Sequence, residues 1–192
     1  MNEAVDFKIV EEPKKPISMH PKKFGLWLFM ASVFILFMAF TSAYIVRRAE
    51  GNWQLFELPK QFLLSTVVIV LSSVTMQMTY LNAKKGLAQS VKSMVLITTI
   101  LGLAFLILQW LGWKDMVGHS VYLVGNPSGS FLYIITGLHG AHIISAIVFL
   151  LIVLNKAFRN KFNLNQIEMC TTYWHFLGVL WLYLFVFLTL LR

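Results

Sequence analysis

The sequence EMCTTYWHFLGVLWLYLFVFLTLL, residues 168–191, decides the fold of this chain. Nearly all of its residues are apolar or aromatic, and its two ionisable residues, Glu168 and His175, lie toward its N-terminal end. About 20 predominantly apolar residues are enough to cross the hydrocarbon core of a bilayer as a helix. The segment therefore predicts a transmembrane helix with polar groups near one end.

Three polar residues of this segment are predicted to share one face of the helix. Glu168, Thr172 and His175 are separated by four and then three residues, a spacing that stacks side chains on a helix. A charged side chain at the bilayer centre costs about 2.5 to 3.5 kcal/mol. We therefore expect this face to contact a lipid head group, another subunit or a proton path. A surface ion pair of Glu168 with Arg159 or Lys161, its neighbours in sequence, is the simpler alternative.

The rest of the chain contains four further apolar blocks of similar length. Hydrophobic residues make up 58% of the 192 residues and charged residues 12%. Continuous apolar runs exclude a membrane barrel, whose short strands alternate in polarity. We predict an all-α polytopic membrane protein with a solvated tail at residues 1–22 and one helical domain at residues 23–192. The five predicted spans are residues 24–46, 62–81, 93–113, 131–154 and 170–191.

The net charge of +8 carries information about topology and gives no indication of a nucleic-acid partner, because the basic residues flank the apolar blocks. The larger group is Lys8, Lys14, Lys15, Lys22, Lys23, Lys84, Lys85, Lys92, Lys156, Arg159 and Lys161. The smaller group, on the opposite side, is Arg47, Arg48, Lys60, Lys114 and Arg192. Cytoplasmic loops carry an excess of Lys and Arg. The N-terminus is therefore predicted inside and the C-terminus outside.

The third and fourth predicted helices are joined on the outer side. Gln109 precedes two tryptophans at the end of the third helix, and we expect it at the outer interface. The segment from Lys114 to Ser130 is predicted to be the longest loop, because its GNPSGS sequence has the residue types of turns.

Histidines within the predicted spans raise the question of a metal or haem site. His139 and His142 lie one turn apart on the fourth helix, about 12 to 17 Å below its outer edge, and His175 is on the fifth. Zinc and copper usually require more ligands than this pair offers. Hydrogen bonding between helices is the favoured interpretation. A small b-type cytochrome with haem on His142 and His175 remains the alternative, and the single cysteine, Cys170, is interpreted as a packing residue.

Several motifs, taken together in their order and spacing, resemble cytochrome c oxidase subunit III of the haem-copper oxidases. The resemblance extends over all five predicted helices and corresponds to the shorter bacterial form, which lacks the first two of seven helices. The motifs are KFGLWLFMAS (23–32), LSSVTM (71–76), LGLAFLILQ (101–109), GLHGAH (137–142) and, after Glu168, YWHF (173–176).

The resemblance implies an accessory subunit without a redox centre, packed on catalytic subunit I beside subunit II in a bacterial inner membrane. The haems and copper are then expected in those partners, which pass electrons from cytochrome c to oxygen and translocate protons. A quinol oxidase is the alternative, and a larger respiratory supercomplex is a further possible setting. Phospholipid is expected in a cleft between helix bundles. The matching positions, implied to serve this cleft or its helix packing, are His139, His142, Glu168, Trp174 and His175.

Two positions depart from the family pattern. The family often has a glutamate in the first of these helices where this chain has Val33, and an acidic residue after the WHF motif where it has Gly178. If those carboxylates assist proton uptake in other members, that role is in doubt here.

Overall fold

Five long helices form the structure, a computed structural model that describes residues 20–159, 161 and 163–191. Each helix is long and apolar enough to cross a membrane, and no strand occurs in these residues. The predicted all-α membrane fold is therefore confirmed, whereas most of the predicted N-terminal tail, residues 1–19, lies outside the described residues. The helices are α1 (Pro21–Ala49), α2 (Lys60–Lys84), α3 (Ala88–Gly118), α4 (Pro127–Phe158) and α5 (Leu164–Leu190).

The connection between α3 and α4 is shorter than the sequence predicts. It spans only residues 119–126, fewer than the connection at residues 50–59, so the expectation of a longest loop from Lys114 to Ser130 is wrong. The reason is the start of α4, where Oδ1 of Asn126 accepts a hydrogen bond from the Ser128 backbone N–H at 3.0 Å and Pro127 occupies the first turn. Both residue types favour helix initiation.

Four of the helices close into a ring, with α2 against α3, α3 against α4, α4 against α5, and α5 against α2. The first helix, α1, lies outside this ring and packs only on α4 and α5. We call the end that carries Lys22, Lys84 and Lys156 the lysine-rich end, and the other the opposite end. The described helices thus form one bundle with a flanking helix, and they do not form two bundles with a cleft between them.

Two buried tryptophans attach α5 to α2. Nε1 of Trp174 donates to Ser72 Oγ at 3.0 Å, and Nε1 of Trp181 donates to Thr66 Oγ1 at 2.9 Å. Both side chains are buried, with exposed fractions of 1% for Trp174 and 0% for Trp181. Since hydroxylated side chains hydrogen-bond readily between membrane helices, these two bonds hold α5 against α2.

Three polar contacts attach α1 to α5 along its length. The Lys23 ammonium lies 2.8 Å from the Glu168 carboxylate at the lysine-rich end. Farther along, the Tyr183 hydroxyl donates to Thr41 Oγ1 at 3.0 Å, and the Tyr44 hydroxyl donates to the Leu191 carbonyl at 3.0 Å. The helix that packs least extensively is therefore held near both of its ends, by Lys23 at the lysine-rich end and by Thr41 and Tyr44 toward the opposite end.

Candidate functional site

The polar face predicted on the last helix lines a pocket at the lysine-rich end. The pocket has a volume of about 250 Å³ and is enclosed by α5 on one side and by α2 on the other. Its lining residues are Gln77, Tyr80, Glu168, Thr171, Thr172 and His175. The helical spacing correctly placed Glu168, Thr172 and His175 on one surface. We call this space the Glu168 pocket.

The carboxylate of Glu168 pairs with Lys23 of α1, at 2.8 Å, and the two side chains are 38% and 28% exposed. The expectation that Arg159 or Lys161 supplies the partner is wrong. Both of those residues precede α5 and belong to the connection from α4, whereas α1 packs directly on α5 and brings Lys23 to the carboxylate. A contact between residues so far apart in sequence has no signal in local spacing.

Beyond the ion pair, the polar contacts continue toward the middle of the membrane. Oγ1 of Thr172 donates to the Glu168 carbonyl at 2.9 Å. Nε2 of His175 lies 3.1 Å from Oε1 of Gln77, a residue of α2. Both Gln77 and the ion pair keep solvent-accessible surface in this chain. Polar groups accessible at membrane depth require a polar partner outside the helix that carries them.

An apolar hollow of about 150 Å³ continues from the Glu168 pocket along the same two helices. His175 lines both spaces, so together they form one groove, which we call the α2–α5 groove. A Cβ at Gly178 would lie 3.0 Å from Ser73 Oγ, so the absence of a side chain at this position lets α5 approach α2 closely. The other lining residues of the hollow are Ile69, Val70, Ser73, Val179 and Leu182.

The remaining site residues predicted from the sequence lie elsewhere. Trp174 is in the core, and His139 is fully buried between the rings of Phe37, Phe105 and Trp181, with ring centroids 5.2 to 6.3 Å from its own. The structure therefore separates them from the groove.

His142 is half-buried and faces α1. Its ring lies 5.7 Å from that of Phe37 and 6.3 Å from that of Phe29, and its Nδ1 lies 2.7 Å from the Leu138 carbonyl. Since His175 instead contacts Gln77 on α2, the two histidines of the haem alternative are engaged with different helices. In the described part of the chain, no group of three or more His, Cys, Asp or Glu side chains is placed to hold a metal ion.

Among the polar residues at this site, sequence reasoning did not predict Gln77 and Tyr80, which line the Glu168 pocket, or Lys23, which pairs with Glu168. Gln77 carried a usable signal, because an amide within an apolar helix requires a polar partner. Lys23 was counted only among the basic residues that predict the orientation in the membrane. Its second role depends on how α1 packs.

Comparison with known proteins identifies a family whose profile spans most of this chain. The family profile of cytochrome c oxidase subunit III matches residues 13–191. A probable cytochrome c oxidase subunit 3 of Mycobacterium leprae is 27% identical over 179 residues, covering 88% of this chain and 87% of the relative. The cytochrome c oxidase subunit 3 of Corynebacterium diphtheriae is 26% identical over 200 aligned residues and 97% of each chain.

Relatives named for a different electron donor are equally similar. A probable quinol oxidase subunit 3 of Staphylococcus haemolyticus is 30% identical over 173 residues, covering 85% of each chain. The match of the family profile extends over all five helices, including the YWHF and GLHGAH motifs. It follows that this chain belongs to the cytochrome c oxidase subunit III family and is a membrane-embedded subunit of a haem-copper oxidase.

Proposed function

We propose that this chain is the accessory third subunit of a proton-pumping bacterial respiratory oxidase, without haem or copper of its own. In this role it stabilises the catalytic subunit and holds a phospholipid in the α2–α5 groove. The observation that carries the lipid assignment is the order of groups along the groove. The Lys23–Glu168 ion pair comes first, the His175–Gln77 pair second and an apolar hollow third.

This order matches the order of groups along a phospholipid. The Lys23 ammonium is about a quarter exposed at the lysine-rich end, where a lipid phosphate lies at the membrane surface and attracts basic side chains. The hollow is bordered by Val179 and Leu182, which are 65% and 38% exposed and offer apolar surface to an acyl chain. A single phospholipid can thus contact the Lys23–Glu168 pair with its head group and the apolar hollow with an acyl chain.

The oxidation chemistry belongs to the partners, catalytic subunit I and the copper-bearing subunit II, which reduce oxygen with electrons from cytochrome c. The positions of the histidines support this division, because His142 and His175 contact different helices. Val33, which is 2% exposed, and Gly178 offer no carboxylate for proton uptake at the two positions where the family often has one. We therefore assign proton uptake to the partner subunits and place the complex in the bacterial inner membrane.

Quantifying the lipid retained by the purified oxidase tests the groove assignment. The variant is Lys23→Gln combined with Glu168→Gln, which removes both charges at the head-group end and keeps the side-chain volumes similar. We expect the amount of tightly bound phospholipid per complex, measured by mass spectrometry after detergent washing, to fall by about one molecule. Repeated washing should also release subunit III from the variant sooner than from the wild type.

The matched control is the double variant Arg47→Gln and Glu50→Gln. These residues form the other ion pair within the described part of the chain, with Arg47 Nη1 and Glu50 Oε2 3.1 Å apart at the opposite end of α1. It should retain the wild-type lipid content. Equal lipid loss in both variants, or loss in neither, would refute the groove as the binding site.

The electron donor and the absence of redox groups are tested on the native complex and on the isolated subunit. We expect the purified complex to contain subunits I and II and to oxidise reduced cytochrome c. Exclusive oxidation of quinol would select the alternative suggested by the staphylococcal relatives. The isolated subunit should show no Soret band, and a band that disappears on His175→Ala substitution would establish haem binding instead.

A further inference from the structure

A second polar cluster lies inside the bundle, away from the α2–α5 groove. His139 on α4 and Gln109 on α3 are 0% and 3% exposed. Neither ring nitrogen of His139 has a hydrogen-bond partner among the described residues, and the same holds for Oε1 of Gln109. Buried polar atoms in proteins are nearly always hydrogen-bonded, to protein or to ordered water. These atoms therefore require a partner that the described side chains do not supply.

The register of α3 against α4 places the two residues at the same depth. Nε1 of Trp113 donates to Thr136 Oγ1 at 3.1 Å. The two helices run in opposite directions. One helical turn, about four residues, leads from Trp113 back to Gln109 on α3 and from Thr136 forward to Gly140 on α4. Gln109 therefore lies opposite Gly140, the residue after His139. A second close approach confirms this register. A Cβ at Gly102 would lie 3.5 Å from Ile147 Cγ1. Gly102 is seven residues before Gln109 on α3, and Ile147 is seven residues after Gly140 on α4.

Space is available at this level. Gly140 is buried, yet a Cβ added to it would meet no atom within 4 Å, other than those of its own helix backbone and chain neighbours. Three features thus coincide at this level: open space at the Cβ position of Gly140, an unpaired imidazole on its chain neighbour His139, and an unpaired amide oxygen on Gln109 of the facing helix. An internal water needs about 10 to 15 Å³ of probe-occupied space and two to four polar partners.

The amide of Gln109 is oriented by its other end, because Nε2 donates to Ser65 Oγ on α2 at 2.8 Å. Whichever way the amide is turned, one end therefore contacts Ser65 and the other has no protein partner. We infer that the space beside Gly140 holds an ordered water molecule, hydrogen-bonded to His139 and to the free end of the Gln109 amide. This site connects α3 with α4 within the bundle and does not depend on the proposed lipid groove.

A pair of glycine substitutions on α4 tests the inference in the purified, complete oxidase. Gly140→Ala places a methyl group in the proposed water site. Gly137→Ala is the matched control, because its methyl group would make an ordinary contact 3.8 Å from Trp113 Cη2. Both changes favour the helix intrinsically. We expect Gly137→Ala to leave the unfolding midpoint of subunit III unchanged or raised, and Gly140→Ala to lower it by about 2 to 4 °C.

If Gly140→Ala raises the midpoint as much as Gly137→Ala does, no bound water is displaced and the inference is overturned. A third variant separates water loss from simple crowding. In a His139→Leu, Gln109→Leu background, which lacks both polar partners, Gly140→Ala should no longer lower the midpoint. A persistent drop in that background would show steric strain and contradict the assignment.

Direct observation decides the matter even if the double-leucine background does not assemble. A high-resolution map of the wild-type oxidase should show a solvent peak within about 3.2 Å of a His139 nitrogen and of the Gln109 amide. A map in which Gln109 bonds directly to His139, or in which both His139 nitrogens face only ring carbons, would overturn the inference.

Discussion

At the scale of single residues, the structure assigns Trp174 to helix packing. Its ring lies directly against Gly102 of α3, where an added Cβ would come within 2.7 Å of Cη2. Its Nε1 donates to Ser72 of α2. One side chain of α5 thus joins three helices of the ring. The resemblance left open whether this tryptophan serves lipid contact or packing, and its burial favours packing.

The contact at Gly102 leads to a stability prediction. Gly102→Ala should destabilise the subunit by about 1 to 3 kcal/mol, because the rigid indole cannot move without breaking its bond to Ser72. Gly118→Ala, at the end of the same helix and with nothing within 4 Å of its added Cβ, should be close to neutral. Thermal unfolding of the purified oxidase, followed by loss of subunit III, measures both. Equal midpoints for the two variants would contradict the packing role.

The hydrogen bond of Trp174 can be tested separately. Trp174→Phe removes the indole donor and leaves a small void, so we expect a loss of about 1 to 2 kcal/mol in stability. The loss is limited because Ser72 Oγ still donates to the Ile69 carbonyl at 2.7 Å. Trp27→Phe, at a position 57% exposed, is the control and should cost less. A larger effect at Trp27 would show that α1 is held by a partner subunit at that surface.

At the scale of elements, α1 is distinct because it lies outside the four-helix ring and contacts only α4 and α5. The Lys23–Glu168 pair attaches its first turn. Both side chains are partly exposed, and exposed ion pairs contribute about 0 to 1 kcal/mol. The pair therefore contributes little to the stability of the fold, and the role that we propose for it is at the head-group end of the groove.

A stability measurement on Lys23→Gln separates these two roles. Its unfolding midpoint should stay within about 2 °C of the wild type, which is the shift expected from a loss below 1 kcal/mol. Lipid retention should nevertheless fall. A large drop in the midpoint with full lipid retention would show instead that the ion pair serves to hold α1 in place.

At the scale of the whole molecule, the distribution of basic residues predicts the orientation in the membrane. The single cysteine of the chain, Cys170, is 2% exposed. Labelling of an introduced cysteine can therefore be measured without a contribution from Cys170. Val124 is 83% exposed in the connection between α3 and α4, and Lys85 is exposed between α2 and α3. These two positions lie at opposite ends of the bundle.

Labelling of intact cells with a membrane-impermeant maleimide checks the orientation. Val124→Cys should react, because the positive-inside rule places its connection outside. Lys85→Cys should react only after the membrane is permeabilised, and Cys170 should stay unlabelled in both cases. The reverse pattern for the two introduced cysteines would show that the N-terminus is outside.

The sequence by itself determined the fold class, the five spans and the shared face of Glu168, Thr172 and His175. These features depend on the length of each apolar run and on the spacing of residues along one helix. Both can be read from a short stretch of sequence without knowledge of the tertiary structure. The motifs in their order and spacing also predicted the family, which the comparisons confirm.

Only the tertiary structure decided which helix supplies each partner. It paired Glu168 with Lys23, buried Gln109, which the sequence placed at the outer interface, and separated His139 and Trp174 from the groove. The physical reason is that these contacts join residues on different helices. The distances between these residues depend on how all five helices pack together, and the spacing of residues within a single helix does not encode that packing.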